Sequence, residues 1–112
     1  MNTKQIIQMR PYREHNYFVY ILTNQTKKVL YTGVTNNLKR RLSEHQKESE
    51  TTKKSFAGKY NCIYLVYFEH HQLILQAIDR EKQIKGWLRG KKVALIEEFN
   101  PDWKFLNDSL ED

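Results

Sequence analysis

The sequence predicts an α/β domain of order β-β-α-β-α-α, a small three-stranded, mainly antiparallel sheet flanked by helices. Three observations point there. Residues 17–22 (YFVYIL) and 29–33 (VLYTG) are rich in aromatic and branched side chains, and the polar TNQTKK between them has hairpin composition. Residues 60–69 (YNCIYLVYFE) are apolar on both alternating faces, which suits a third strand covered on both sides. The remaining regular segments repeat apolar residues at helical spacing.

Taken in order, residues 1–16 lack sustained periodicity and contain a proline, so an extended arm precedes a domain over 17–106. After the hairpin, Asn36 or Thr35 can cap a helix in which Leu38 and Leu42 recur at i,i+4, with Arg41 and His45 on an adjoining stripe; it is expected to end near residue 48. ESETTKKSFAGKY reads as a loop of about a dozen residues, long enough to suggest a functional role. After the third strand, a second helix is expected over 72–88, with Ile74, Ala77, Ile78, Ile84 and Leu88 as its inner stripe. A third helix over 91–99 ends at Asn100-Pro101, because the residue before proline disfavours the helical region. Residues 107–112 read as an acidic tail.

A length of 112 residues suits one domain rather than two cores. The longest wholly apolar run, Ile63 to Phe68, falls far short of the roughly 20 residues a membrane-spanning helix needs, and the opening residues lack a signal-peptide core. A cytoplasmic protein with no membrane partner is expected. The single cysteine, Cys62, excludes an intrachain disulfide and a four-cysteine zinc site, and reads as a buried, inert thiol. The net charge of +6 is unevenly spread, with +6 over residues 27–60, +5 over 80–92 and −5 over 93–112. Two basic segments suggest a positive surface assembled by folding, the footprint of phosphate-backbone recognition; simple solubility is the alternative.

Glu81 falls on the apolar stripe of the second helix. An unpaired carboxylate against a core is costly, so it should have a cationic partner, Lys85, Arg80 or Arg41, or a metal ion. In the hairpin, a turn centred between Gln25 and Thr26 places Tyr20 opposite Tyr31, so the two phenols stand together on one face; cross-strand aromatic packing alone would also account for them.

Phe18-Val19-Tyr20, Tyr31-Thr32-Gly33, the following TNNLKRRLSEH and REKQIKGW around Glu81 resemble the GIY-YIG endonucleases over residues 17 to about 106, and most of all their small stand-alone bacterial members. Phe18 stands where the family usually has glycine and Thr32 where it has isoleucine; neither change removes a side chain expected to do chemistry. The resemblance implies a metal-dependent endonuclease that hydrolyses nucleic acid, with DNA the expected form, at a site of Tyr20, Tyr31, Arg41, His45 and Glu81. Glu81 would hold Mg²⁺ or Mn²⁺, a hard cation that one carboxylate, water and substrate phosphate can satisfy. Arg41 would donate paired hydrogen bonds to the phosphate, and either tyrosine, its pKa lowered by neighbouring cations, could take the attacking water's proton. His45 could relay that proton or orient a tyrosine, or be a helix-surface histidine.

Gly33 is expected to let the chain turn sharply and phosphate approach. Asn100 resembles an asparagine near the end of some family domains. Lys39, Arg40, Lys53, Lys54, Lys59, Lys82, Lys85, Lys91 and Lys92 are the candidate backbone contacts, against a solvated-face reading, while Trp87 and Trp103 read as packing residues. Two readings compete: a binding module of this fold without turnover, and a protein-interaction domain docking through residues 93–112. With little sequence beyond the domain, a protein partner could supply specificity.

Overall fold

The computed structural model describes residues 16–51 and 56–110. The N-terminal arm, Lys53 and Lys54 lie outside them. The elements are β1 (Tyr17–Thr23), β2 (Leu30–Thr35), α1 (Leu38–Glu50), a single-turn α2 (Phe56–Lys59), β3 (Tyr64–His71), α3 (Ile74–Lys85) and α4 (Arg89–Phe99), followed by a 3-10 turn at Asn107–Ser109. The sheet is antiparallel in the order β2-β1-β3. The expected fold class stands, with an additional short helix in what the sequence presents as a loop.

The central strand β1 is covered on both faces. Tyr20 and Leu22 join Leu38 and Leu42 of α1, Ala57 of α2, Cys62 and Leu65 in one core. Val19 and Ile21 point the other way and join Ala77 and Ile84 of α3, Ile96 of α4, Val66 and Tyr67 in a second. A register shift in the β1–β3 ladder after Ile21 explains why Val66 and Tyr67, adjacent in sequence, serve the same core, since an irregular residue breaks the two-residue alternation. Burial pushes the Cys62 thiol up to about 11, in keeping with an inert core thiol.

The hairpin register differs from expectation by two residues. Tyr20 faces Gly33 and Leu22 faces Tyr31. The Asn24 side chain accepts from the amides of Lys28 and Val29, and Lys27 adopts a left-handed φ of 63°, so the turn centre moves to between Thr26 and Lys27. A shift of two preserves facing, so Tyr20 and Tyr31 remain on one side of the sheet as diagonal neighbours.

Helix bounds also move. Asn37 is the cap of α1, accepting from the Arg40 amide at 3.0 Å, and the helix runs to Glu50. The inner stripe of α3 is Ala77, Glu81 and Ile84, whereas Ile74 and Leu88 are exposed, Leu88 to 85% because it lies beyond the helix at the start of α4. The segment after α4 belongs to the fold. Leu106 and Leu110 pack on the Tyr20 core, so an acidic tail beginning at 107 does not describe residues 107–110. Trp87 and Trp103 pack against the other core, and the ring of Trp87 carries Arg80 and Lys91 over it.

A polar network fixes α3 to β3. Glu69 accepts from the Tyr67 hydroxyl, from His71 at 2.6 Å and from Arg80 at 3.0 Å. Burial alone would raise the Glu69 carboxyl, but these hydrogen bonds and the Arg80 charge outweigh it and hold the group below its usual 4.5. A depressed carboxylate stabilises the fold above its unfolded pKa and loses that contribution as pH falls through the folded value. Glu69→Gln should therefore cost about 1–3 kcal/mol at pH 7, with the gap from wild type closing as pH falls through the folded carboxyl's pKa, as read by denaturant titration at several pH values.

Candidate active site

Four of the five residues singled out for chemistry converge on the face covered by α1. The Tyr20 hydroxyl and His45 Nε2 are 2.8 Å apart in the interior. The Tyr31 ring lies 6.3 Å from that of Tyr20 and 5.2 Å from that of His45. Arg41 stands one helical turn before His45 and interacts electrostatically with Tyr20. His45 is thus fully buried and not a surface histidine.

The electrostatics follow from burial. Desolvation raises the Tyr20 phenol well above its ordinary value, with Tyr31 adding to the rise, and the attraction of Arg41 does not offset them. Tyr20 therefore keeps its proton in the free protein, where the Arg41 cation alone does not bring its phenol down. Burial, assisted by the Arg41 charge, pushes His45 down to about 4, so its imidazole is neutral at physiological pH. Burial works against the Arg41 cation too, but contacts with Glu44, Tyr20 and Glu48 prevail and its pKa is raised. Arg41 Nη1 donates to Glu44 at 2.9 Å and lies 3.9 Å from Glu48.

Sequence reasoning missed Glu44 and Glu48. Their spacing from Arg41 and His45 on α1 was the available signal, since residues three, four and seven apart share a helical face.

Gly33 serves a different purpose from the one expected. It sits within β2, and a Cβ there would lie 2.5 Å from both Cζ and Oη of Tyr20. The missing side chain makes room for the phenol. Gly33→Ala should displace the Tyr20 ring, weaken its bond to His45 and cost about 1–3 kcal/mol, seen as a lower melting temperature and altered His45 resonances.

Glu81 is carried on the other face of the sheet. Its stripe neighbours Ala77 and Ile84 pack with Val19 and Ile21, while α3 also covers β2, one of the two edge strands. Its side chain is 12% exposed, and Lys85 Nζ stands 2.6 Å from its Oε2. The structure thus realises the ion pair with Lys85, on the opposite side of the sheet from the Tyr20–His45 bond. Among the described residues no group of three or more His, Cys, Asp or Glu could hold a metal ion unaided. The donor chemistry still fits a hard cation shared with substrate, because Mg²⁺ commonly takes one or two carboxylates and keeps water and phosphate for its other positions. The carboxylate already accepts a cation in the form of the lysine.

The two basic segments are carried on opposite faces, α1 bearing Lys39 and Arg40 and α3 bearing Lys82 and Lys85. They approach at the hairpin tip, where Arg89 donates to the Lys27 carbonyl at 3.3 Å. The Lys59 ammonium stands over the Tyr60 ring. Asn100 is buried and does not present its amide as a nucleic-acid contact. It donates to the Val66 and Lys104 carbonyls and accepts from the Lys104 amide, bridging α4, β3 and the segment beyond.

The model of the GIY-YIG catalytic domain matches residues 16–94. The chain belongs to the GIY-YIG family. It is also similar to small stand-alone proteins of that kind: it is 36% identical over 93 residues to the UPF0213 protein of Syntrophus aciditrophicus, covering 76% of this chain and 93% of that one. With the UPF0213 protein of Haloquadratum walsbyi it shares 35% identity over 82 residues, 73% of this chain and 88% of the other. The solution NMR structure of a UPF0213 protein from Bacillus halodurans is 25% identical, covers 79% of this chain and 89% of that chain, and superposes with a TM-score of 0.49. Among the described residues of this GIY-YIG protein, no helix is long and apolar enough to cross a membrane.

Proposed function

We propose that this protein is a cytoplasmic, divalent-metal-dependent endonuclease that hydrolyses nucleic-acid phosphodiester bonds, with DNA as its substrate. The observation that carries the reading is the buried Tyr20–His45 hydrogen bond, with Tyr31 and Arg41 beside it, inside a catalytic domain of the GIY-YIG family.

Arg41 exchanges its single contact with Glu44 for the phosphate oxygens, which can accept paired hydrogen bonds and gain charge as the transition state forms. Tyr31 is more exposed than Tyr20 and is the phenol that meets the attacking water; as its phenolate it takes the water's proton while the water oxygen bonds to phosphorus and the bond to the leaving oxygen breaks. Tyr20, which retains its proton, braces that arrangement through His45. Glu81 would hold Mg²⁺ or Mn²⁺, which when bound would supply positive charge to the phosphate oxygens. A substrate strand lying along the free side of β2 would pass between the helix that carries Arg41 and the helix that carries Glu81. A protein partner could select which strand is presented.

Incubation with labelled single-stranded, paired and branched DNA and RNA, with Mg²⁺, Mn²⁺ or chelator, tests the reading. Metal-dependent internal cuts are expected. Binding without cuts would make the chain a nucleic-acid-binding module, and salt-independent association with a protein would favour the interaction domain.

Affinity should fall steeply with salt. Replacing Lys53, Lys54 and Lys59 with Gln should weaken binding to all sequences alike and reduce the slope of log K against log salt by about one unit for each phosphate that is no longer neutralised. An unchanged slope would remove this segment from the interface.

A further inference from the structure

We infer that Glu48 is a positioning residue of this site: its carboxylate selects the tautomer of His45 and so commits the Tyr20 hydroxyl proton to Nε2, fixing the brace beside Tyr31, the phenol that meets the attacking water. The inference rests on the hydrolase reading above for its catalytic consequence, and on geometry alone for the tautomer.

His45 is fully buried, and its two ring nitrogens are in unequal surroundings. Nε2 is 2.8 Å from the Tyr20 hydroxyl. Nδ1 is buried without a hydrogen-bond partner, and Glu48 Oε1 stands 3.7 Å from it. A neutral imidazole carries one proton. If Nε2 held it, the bare lone pair of the buried Nδ1 would face a carboxylate, and two acceptors would oppose each other. With the proton on Nδ1, an N–H points at the carboxylate and Nε2 is left to accept from the Tyr20 O–H. The second arrangement is the one the charge of Glu48 favours.

The distance of 3.7 Å is too long for a good hydrogen bond, and the structure contains a reason. The other oxygen of the same carboxylate lies 3.9 Å from Arg41 Nη1, so Glu48 stands between Arg41 and His45. A phosphate that engages Arg41 draws it away from Glu48. Glu48 then needs to move by only about 1 Å to reach hydrogen-bond distance of Nδ1. Substrate binding and the orientation of Tyr20 are coupled through this shared acid. The groups facing His45 are Tyr20 from β1, Tyr31 from β2, and Arg41, Glu44 and Glu48 from its own helix.

The test reads the His45 ring nitrogens by NMR in chain labelled with ¹⁵N-histidine, and the cleavage rate beside it. In wild type the neutral ring should carry its proton on Nδ1. In Glu48→Gln, which keeps size and an acceptor but removes the charge, the tautomers should mix and kcat should fall about 10- to 100-fold, as for other partners that orient a functional histidine, with KM within about twofold. Glu48→Asp, which restores the charge, should recover part of kcat and the Nδ1–H signal. A proton on Nε2 in wild type overturns the inference, as does a Glu48→Gln protein with wild-type tautomer and kcat, or one in which only KM rises. If wild type cuts no nucleic acid with either metal, the functional reading falls, and the ring-nitrogen signals still decide what Glu48 does. The same wild-type signals decide the matter if Glu48→Gln does not fold.

Discussion

Glu81→Gln is expected to lower cleavage at least about a hundredfold while leaving nucleic-acid binding intact, because it keeps the shape of the side chain and removes the charge that would hold the cation. Thermal stability separates this from a structural role. The partner Lys85 is 53% exposed, so the pair is solvent-screened and worth only about 0.3–0.5 kcal/mol as an i,i+4 contact. A melting temperature close to wild type together with abolished cleavage supports metal binding. Retained cleavage removes Glu81 from the site, and a large drop in stability would return it to the core as an ion-pair partner. Chelator should abolish wild-type cleavage, and Mn²⁺ should restore it.

Arg41→Ala should reduce cleavage by about a thousandfold, comparable to removing a preorganised donor to a developing oxyanion, and unlike Glu81→Gln it should also weaken phosphate binding. Arg41→Lys should recover charge but not the paired hydrogen bonds, and so only part of the rate. A second readout needs no substrate. Burial is the main reason His45 titrates near 4, and the Arg41 charge is the next, so Arg41→Ala should move the His45 titration upward. An unmoved His45 would place Arg41 away from the site in solution.

The strands were readable because the alternation in YFVYIL and in the third apolar run is dictated by burial on both sides of a sheet. The hairpin register was not, since it is set by Asn24 bonding two amides and by Lys27 turning left-handed, choices with little trace in hydrophobic pattern. Tyr20 and Tyr31 could be placed on one face, and Arg41 and His45 on one helix stripe, because strand and helix periodicities are local rules; that the two pairs form one site was legible only through the resemblance to the GIY-YIG family. The direction of the Tyr20 pKa shift was not legible, because it depends on how deeply α1 buries the phenol. Glu81 stood out as a charge on an apolar stripe, but which face of the sheet that stripe would cover is a matter of chain path rather than of sequence period. The role of Gly33 required a neighbour's coordinates: glycine in a motif suggests backbone freedom, whereas here it leaves volume for a ring.

The outer side of β3 has a consequence for how the domain can be cut. Asn107 donates its amide to the Ile63 carbonyl and accepts from the Leu65 amide, and the Leu106 amide donates to the Leu65 carbonyl. One side chain thus imitates a peptide of a fourth strand and seals that border of the sheet. A fragment ended at residue 94, where the family match stops, would lose this seal together with Ile96 and Asn100. Exposed strand borders template pairing with other chains, so such a fragment should self-associate through β3. The folded unit therefore includes the segment through Leu110, and the protein guards one border of its sheet with its own C-terminal segment.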